Sequence, residues 1–258
     1  MTESILTAVV VTSILLVVYH HVGYPLALRW LGAAYDHSVV SEGAALDKVP
    51  TICIVMAAYN EERYIGDKIH NLSALDYPAD RLRVLIACDG CTDATARVAR
   101  RTAADPRCEH LNVEVLEFGG NRGKVAVLND VMSRVDESIV VMSDISALVS
   151  LDALQCAARA FVDPEIGVVS GNYRLLAPGS VGEATYWRYQ NVIKAREAAL
   201  GATLGAPGAF YAIRRELYSP LESDTINDDF VVPMRIVDRK STRLNSSHSS
   251  VSRMPSSA

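Results

Sequence analysis

Cysteine is scarce in this chain, and basic residues are outnumbered by acidic ones. The five cysteines among 258 residues are odd in number and unevenly spaced, which argues against a secreted disulfide framework and indicates a reducing compartment. Lys and Arg total 25 against 30 Asp and Glu, a formal charge of −5. The sequence therefore lacks the basic surface that binds nucleic acid phosphates, and we expect no nucleic acid partner. With 50% hydrophobic residues, the composition also excludes a disordered or collagen-like chain.

The C-terminal residues resemble foreign sequence. Asp238 to His248, DRKSTRLNSSH, is similar to the translation of a common sequencing adapter, and Ser252 to Ala258, SRMPSSA, is similar to that adapter's continuation. A natural Ser-rich disordered tail is the alternative, because Ser, Asn and Pro without apolar periodicity are typical of such tails. We expect residues 238–258 to be non-native and the natural chain to be cut after about Val237, so we leave them out of the fold prediction.

The N-terminal segment is strongly apolar. Ile5 to Tyr19 contains no charged residue, and apolar character resumes after His20 and His21 up to Arg29. Fifteen helical residues span only about 22 Å, so a helix that crosses the roughly 30 Å hydrocarbon layer must continue past the histidines. A cleaved signal peptide would carry a positive start, which the leading MTE lacks, and a buried core helix is the other alternative. We predict a transmembrane anchor within residues 1–35, in contact with membrane lipids.

From Thr51 the chain alternates short apolar runs with stretches of helical character. The apolar runs are TICIVMAAY, LRVLIAC, VEVLEF and SIVVMSD. Strands that alternate with helices predict an α/β fold, in which a mostly parallel sheet is covered by helices on both faces. We expect this domain to occupy residues 50–237.

Polar residues follow the ends of the predicted strands. Tyr59, Asn60 and Glu61 follow the first strand, Asp89 follows the second, and Asp144 follows the fourth. In a parallel sheet the carboxyl ends of the strands share one edge, where ligands bind. Solvated loops also carry Asp and Asn, so the joint placement of these residues, rather than any single one, predicts a binding site.

Several motifs resemble those of family 2 glycosyltransferases in order and spacing. They are AAYNEE, CDGCTDAT, RGKVAVLN, SDIS, GAPGAFYAIRR and NDDF. The similarity extends over residues 50–237, and the membrane-embedded polysaccharide synthases, which include hyaluronan, chitin and poly-N-acetylglucosamine synthases, are the nearest match. The resemblance implies a GT-A (Rossmann-like) fold, a nucleotide-sugar donor and inversion at the anomeric carbon.

The resemblance assigns three segments to the donor. Ala58, Tyr59 and Glu61 match the nucleoside pocket, together with Asp89, whose carboxylate would accept a hydrogen bond from the base. Lys124 matches a residue near the diphosphate, and the glycine before it would let the backbone approach closely. A loop cap is the alternative for Asp89, and a helix cap is the alternative for the Asn that follows Tyr59.

The resemblance also implies a divalent metal. Asp144 matches the first carboxylate of the family's DxD motif, where it would also face the nucleotide sugar. Mn²⁺ and Mg²⁺ take oxygen ligands and neutralise charge on a departing diphosphate. Ser146 stands at the second carboxylate position and is a poorer, neutral ligand, so we expect Mn²⁺ or Mg²⁺ to be held mainly by Asp144, water and phosphate. A strand-end cap is the alternative for Asp144.

The acidic pair in NDDF matches the family's catalytic pair. By this alignment Asp229 is the general base that deprotonates the acceptor hydroxyl, and Asp228 is its neighbour. Adjacent carboxylates can raise each other's pKa, which suits a base that must later release its proton. Paired acids at a solvated helix start are the alternative.

Two other features have structural as well as functional interpretations. Residues 182–200 predict an amphipathic helix whose Tyr186, Trp187 and Tyr189 would stack on an acceptor sugar, lie at a membrane interface or simply pack in the core. Cys88 and Cys91 form a C-x-x-C without a second pair. We interpret the first as a buried strand residue and the second as a loop residue, rather than as a zinc or redox site.

Together these patterns predict a membrane-anchored, inverting glycosyltransferase. It would move a sugar, from a UDP-sugar by expectation, to a growing glycan or lipid-linked acceptor, at the bacterial inner membrane with the catalytic domain in the cytoplasm. A sugar nucleotidyltransferase would need a Gly-rich, basic loop after its first strand, which AAYNEE lacks. A membrane-tethered binding module with a decayed site is the third alternative, supported by Ser146 alone. We expect the chain as written to lack activity, because the family's downstream acceptor motif is absent before Val237.

Overall fold

The computed structural model describes residues 2–32, 48–175, 180–201, 205–238 and 243–253. Its N-terminal part is one continuous helical segment, made of α1 (Thr2–Val18), a π-helical turn (Tyr19–Gly23) and α2 (Tyr24–Gly32). The segment therefore continues past the histidines, as expected. The π-turn lies directly before Pro25, whose ring would clash with the carbonyl four residues earlier in a regular α-helix.

Within the described residues, this segment is the one helix long and apolar enough to cross a membrane, by length and composition. All 17 residues of α1 are exposed. By contrast, α2 packs against the globular domain and buries Leu28. The apolar surface of α1 thus has no protein partner among the described residues.

The domain is built on one mixed sheet. Its strands are β1 (Ile52–Ala58), β2 (Leu82–Asp89), β3 (Asn112–Phe118), β4 (Ile139–Met142), β5 (Ala147–Val149), β6 (Ile166–Leu175), β7 (Tyr211–Arg214) and β8 (Arg243–Arg253). They lie in the order β3-β2-β1-β4-β7-β6-β8-β5. The four strands from β3 to β4 are parallel. β7 is antiparallel to both β4 and β6, β8 is parallel to β6, and β8 is antiparallel to β5.

Six α-helices within the described residues accompany this sheet. They are α3 (Ile65–Ser73), α4 (Thr95–Ala103), α5 (Lys124–Met132), α6 (Ala153–Ala160), α7 (Val181–Ala199) and α8 (Asp228–Asp238). The predicted α/β fold with an apolar N-terminal helix is confirmed, since the parallel half of the sheet has the expected strands and intervening helices.

Both faces of the parallel half are covered. Side chains alternate along β1, so that Ile52 and Ile54 join a core with α3, α4 and α6. Cys53 and Val55 join a second core, which α5 and α8 cover on the other face. Burial on both faces explains why these strands are nearly continuous apolar runs rather than alternating ones.

Strand β8 lies in the segment that the sequence analysis set aside. Its pairing with β5 and β6 consists of backbone hydrogen bonds, which any non-proline sequence can make. The origin of residues 238–258 is therefore not tested by this pairing and stays a prediction. No functional proposal below depends on β8.

Candidate active site

The predicted site residues do lie along one edge of the sheet. Ala58 ends β1 beside Cys88 of β2, and Asp89 is the last residue of β2. Asp144 lies two residues beyond the end of β4. Because these strands are parallel, their carboxyl ends form one shared edge, which is where ligands bind in such sheets.

The turn after β1 is bound directly to the loop after β2. Asn60 adopts a left-handed conformation with φ of 56°, which Asn tolerates better than most residues. Its Oδ1 accepts from the backbone N–H of Thr92 at 2.9 Å, and the N–H of Glu61 donates to Thr95 Oγ1 at 2.7 Å. Tyr59 is held on this turn with half of its surface exposed, so its ring is available to a ligand.

Asp89 anchors the loop that precedes α5. The carboxylate is 4% exposed, and it accepts from the backbone N–H of Arg122 at 3.0 Å and of Gly123 at 2.8 Å. The loop packs so tightly that a Cβ at Gly90 would lie 2.3 Å from the backbone N of Asn121. A carboxylate offers about four lone-pair sites, so Asp89 can hold the loop and still accept a further bond.

Lys124 is the first residue of α5 and reaches across the edge of the sheet. Its Nζ lies 3.0 Å from Asp228 Oδ1 and 3.8 Å from Asp144 Oδ1, while 44% of its side chain stays exposed. Burial lowers the pKa of Lys124, but attraction to Asp228, Asp144 and Asp229 outweighs it and leaves the pKa above its usual value. The result is a fixed ammonium group between carboxylates, open to solvent.

Asp228 is the buried member of the acidic pair. Its residue is 5% exposed, and Oδ2 is buried without a hydrogen-bond partner within the described part of the chain. Burial raises the pKa of Asp228 and Lys124 opposes the rise, with a net shift upward. The fully buried Tyr211 also has an unpartnered hydroxyl in the described structure, and burial, reinforced by Asp228, raises its pKa well above 10.

Asp229 and Asp144 face each other across Gly208. A Cβ added at Gly208 would lie 3.1 Å from Asp229 Oδ2 and 3.5 Å from Asp144 Oδ2. Glycine at this position therefore keeps open a space between two carboxylate oxygens from different elements. A small cavity beneath this point is lined by Lys124, Asp144, Gly208 and Asp228. Oxygen donors around an open space are the kind of set that Mn²⁺ or Mg²⁺ accepts.

The structure does not bring the second expected metal ligand to this cavity. Ser146 is half-buried and is not among the residues that line the cavity. In the described residues, no group of three or more His, Cys, Asp or Glu side chains is placed to hold a metal ion. Within the described residues, Asp144 therefore lacks the second protein ligand that the sequence led us to expect.

A buried lysine that the sequence analysis did not single out lies beneath Asp144. Lys68 of α3 is 0% exposed, and its Nζ donates to Ser143 Oγ at 2.8 Å and to Ala147 O at 2.5 Å. Ser143 Oγ in turn donates to Ala209 O at 2.8 Å. Burial lowers the pKa of Lys68 to about 7, although Asp144 opposes the shift. This network joins α3 to both loops that carry Asp144 and Gly208.

The loop that contains Gly208 also contacts α7 and α8. Lys194 Nζ of α7 donates to Gly205 O at 3.3 Å, and the N–H of Ala206 donates to Asp229 O at 3.1 Å. Gly205 has a φ of 73°, and a Cβ there would lie 3.0 Å from a ring carbon of Phe230. The position of the acidic pair thus depends on this loop.

The two cysteines of the C-x-x-C have the structural roles expected of them. Cys88 is 1% exposed in β2, and burial raises its pKa to about 12, so it is a thiol rather than a reactive thiolate. Cys91 lies in the following loop, where its Sγ donates to Ala58 O at 3.4 Å. The interpretation as a buried strand residue and a loop residue is confirmed.

Comparison with known sequences identifies a family over most of the chain. The family model described as glycosyltransferase-like family 2 matches residues 50–242. The beta-monoglucosyldiacylglycerol synthase of Synechocystis sp. is 31% identical over 147 residues, which is 55% of this chain and 30% of the relative. The poly-beta-1,6-N-acetyl-D-glucosamine synthase of Staphylococcus aureus (strain COL) is 26% identical over 199 residues, covering 74% and 47%. The chain thus spans less than half the length of these curated relatives.

Solved structures show the same fold. A mannosyltransferase from Pyrobaculum calidifontis, in complex with GDP-Man and Mn²⁺, has a TM-score of 0.75 and 26% identity, covering 90% of this chain and 64% of that one. S. aureus TarS in complex with UDP-GlcNAc has a TM-score of 0.58 at 18% identity, covering 80% and 60%. The second likeness supports the fold alone.

Proposed function

The chain belongs to glycosyltransferase-like family 2, and from this premise we propose that it transfers a sugar from a nucleotide-sugar donor to a glycan or lipid-linked acceptor. The observation that carries the proposal is the convergence of Lys124, Asp144 and Asp229 around the space left by Gly208. These groups come from three separate elements of the sheet edge. They offer one cation for a diphosphate and two carboxylates for a metal and an acceptor hydroxyl.

The donor binds along the parallel half of the sheet. Its nucleoside lies against Tyr59, beside Ala58 and Glu61, with the remaining acceptor capacity of Asp89 directed to the base. Lys124 faces the diphosphate, where its positive charge stabilises the leaving group. The GDP-Man in the mannosyltransferase structure supports a nucleotide sugar as the ligand class, and we propose a UDP-sugar.

Asp144 and Asp229 have different roles in this proposal. Asp144 would hold Mn²⁺ or Mg²⁺, and a bound cation would supply positive charge that stabilises the leaving diphosphate. The Mn²⁺ in the mannosyltransferase structure supports this choice of cofactor. Ser146 does not line the cavity beside Asp144, so we assign it no direct contact with the cation.

Asp229 acts as the general base. It takes the proton from the acceptor hydroxyl as that oxygen attacks the anomeric carbon from the face opposite the diphosphate, so the configuration inverts. Asp228, buried and paired with Lys124, fixes the ammonium group and the start of α8. Asp229 remains the more accessible of the two, as a base that meets an incoming acceptor must be.

We place the protein at the cell membrane, the inner membrane of a bacterium, with its catalytic domain in the cytoplasm. The exposed apolar helix α1 supports a membrane anchor, and nucleotide sugars are made in the cytoplasm. A sugar nucleotidyltransferase is disfavoured because the turn after β1 contains Asn60, Glu61 and Glu62 instead of a Gly-rich basic loop.

The test uses the uninterrupted protein, by which we mean residues 1–237 followed by the continuation recovered from the source DNA. It is expressed in membranes and supplied with a panel of UDP-sugars and Mn²⁺, Mg²⁺ or a chelator, alongside Asp229→Asn. We expect UDP release with one donor that depends on metal and on Asp229. Folded protein that neither binds nor turns over any nucleotide sugar would overturn the proposal.

A further inference from the structure

A cavity of about 390 Å³ lies between the N-terminal helix and α7, away from the residues proposed for catalysis. Tyr19 and Tyr24 of the N-terminal helix form one wall, and Tyr189 and Ile193 of α7 form the other. Lys194 and Glu197 provide its charged groups. The volume falls within the roughly 300–1,000 Å³ that is typical of small-molecule sites.

The cavity begins where the exposed part of the N-terminal helix ends. Every residue of α1 up to Val18 is exposed, whereas α2 docks on α7. The hydroxyl of Tyr24 donates to Glu197 Oε1 at 2.5 Å, and Arg196 Nη1 donates to Pro25 O at 3.2 Å. With α1 in the bilayer, the cavity lies at the boundary between lipid and water. Tyrosine side chains are typical of this boundary.

The same cavity is connected to the proposed base. Lys194 lines the cavity, and its Nζ donates to Gly205 O at 3.3 Å. The next residue, Ala206, donates its N–H to the carbonyl of Asp229 at 3.1 Å. Burial lowers the pKa of Lys194 while Glu197 and Asp229 oppose the shift, so Lys194 is within electrostatic reach of both carboxylates. Lys194 therefore contacts both the cavity and the loop that holds the proposed base.

We infer that this cavity binds the headgroup end of an uncharged, hydroxyl-bearing membrane lipid, which is the acceptor of the transferred sugar. The inference rests on the proposed function and names its acceptor class. The acyl chains would lie along exposed α1, and the hydroxyl end would point past Lys194 toward Asp229. Such a lipid has acyl chains that suit the apolar walls of the cavity and hydroxyls that suit the few polar groups at one end.

The charges of the cavity select against an anionic acceptor. Lys194 and Glu197 cancel in formal charge, and Glu197 is only 8% exposed. This lysine and glutamate together offer a lipid phosphate no net positive charge, so its desolvation in the cavity would not be offset by a net attraction. An uncharged headgroup with hydroxyls can instead donate to carboxylate and accept from ammonium or tyrosine hydroxyl. A neutral glycerolipid such as diacylglycerol has this chemistry.

The test is photo-crosslinking of the uninterrupted protein in phosphatidylcholine nanodiscs. The probe is a diacylglycerol whose diazirine lies at the glycerol end of one acyl chain, next to the headgroup, and labelled peptides are mapped by mass spectrometry. We expect labels on Tyr19–Tyr24 and on α7. Gln190→Trp fills the cavity from a half-buried position that lines it, and overpacking of this kind lowers labelling about tenfold. Val192→Trp is the control, since Val192 is 44% exposed and does not line the cavity.

The outcomes separate this inference from the proposed function. Hydrolytic UDP release, measured on the same protein variants in nanodiscs without diacylglycerol, reports donor turnover independently of the lipid cavity. Loss of labelling and of lipid glycosylation in Gln190→Trp, with UDP release and Val192→Trp unaffected, supports the inference. Labelling that persists in Gln190→Trp, or a polyprenyl phosphate probe that labels these peptides better, overturns it. Absence of UDP release from every donor in every sample counts against the proposed function instead.

Discussion

In the parallel half of the sheet (β3, β2, β1 and β4), the site residues lie on loops that bind directly to one another. The antiparallel half, by contrast, holds Asp229 through a neighbouring loop, and the adjacent Asp228 pairs with Lys124 across the two halves. Asn60 and Asp89 each accept backbone N–H groups from the next loop along the edge. Asp229 is held instead by its backbone carbonyl, which accepts from Ala206. Donor binding and sugar transfer should therefore respond differently to mutation.

Asp229→Asn is expected to produce the largest difference between its effect on sugar transfer and its effect on donor binding. An amide cannot take the acceptor proton, and loss of a general base costs about 10²–10⁴-fold in rate. Donor affinity should stay within about twofold, because one change on the antiparallel half leaves the donor loops intact. Transfer is measured with the uninterrupted protein, and donor affinity by calorimetry. Equal loss of binding and transfer would mean that the two halves are not separable at this residue.

Gly208→Ala tests the space at which the parallel and antiparallel halves meet. The new Cβ would lie 3.1 Å from Asp229 Oδ2 and 3.5 Å from Asp144 Oδ2, so one of the carboxylates must move. A shift of a few tenths of an ångström relieves this contact, and because a misplacement of about 1 Å can cost about 10²-fold in rate, we expect a loss below that limit, of the order of tenfold. Steady-state transfer rates check this, and Gly119→Ala is the matched control because its Cβ would meet nothing within 4 Å. A variant as active as the control would contradict the assigned position of the reacting space.

Asp89→Asn should lower stability and weaken donor binding at the parallel half, with a smaller effect than that of Asp229→Asn. An Asn side chain keeps one acceptor oxygen where Asp89 now receives both Arg122 and Gly123 N–H groups. Leaving a buried backbone donor unpaired costs about 1–3 kcal/mol, which we expect as lower stability and about tenfold weaker donor binding. Thermal unfolding and donor calorimetry check both. Asp130→Asn removes only an exposed ion pair to Arg122, so it should leave both values nearly unchanged.

The two halves also differ in how much of them the sequence could predict. Strands β1 to β4 alternate regularly with helices and are buried on both faces, so apolar runs predict them and their shared edge. β5 and β7 contain only three and four residues, and β7 pairs with strands more than forty residues away in the chain. Such long-range pairing leaves no local pattern, so the antiparallel half was not predicted.

The candidate site, too, could be predicted from the sequence only in part. The positions of Asp89 and Asp144 after strands predicted that they share one edge, but they do not specify which backbone groups Asp89 would bind. Lys68 was missed because a single lysine in a polar helix is usually interpreted as solvated. Its position offered a signal, since the buried Ile65, Ile69 and Leu72 form a helical face that includes Lys68.

The smallest predicted effect concerns Lys68, which joins the two halves through its hydrogen bond to Ser143. Its measurement tests whether the Lys68 side chain is buried as described. Its pKa is lowered to about 7 in the folded state from 10.5, so between these values the unfolded chain binds more protons and stability rises with pH. Between pH 7 and 8 the gain is about 1 kcal/mol, or roughly 2–4 °C in Tm for a domain of this size. Lys68→Met removes this titration, so its Tm should change less over the same interval. Parallel pH profiles for both proteins would argue that Lys68 is charged and solvated when folded, and that the Ser143 network does not connect the halves.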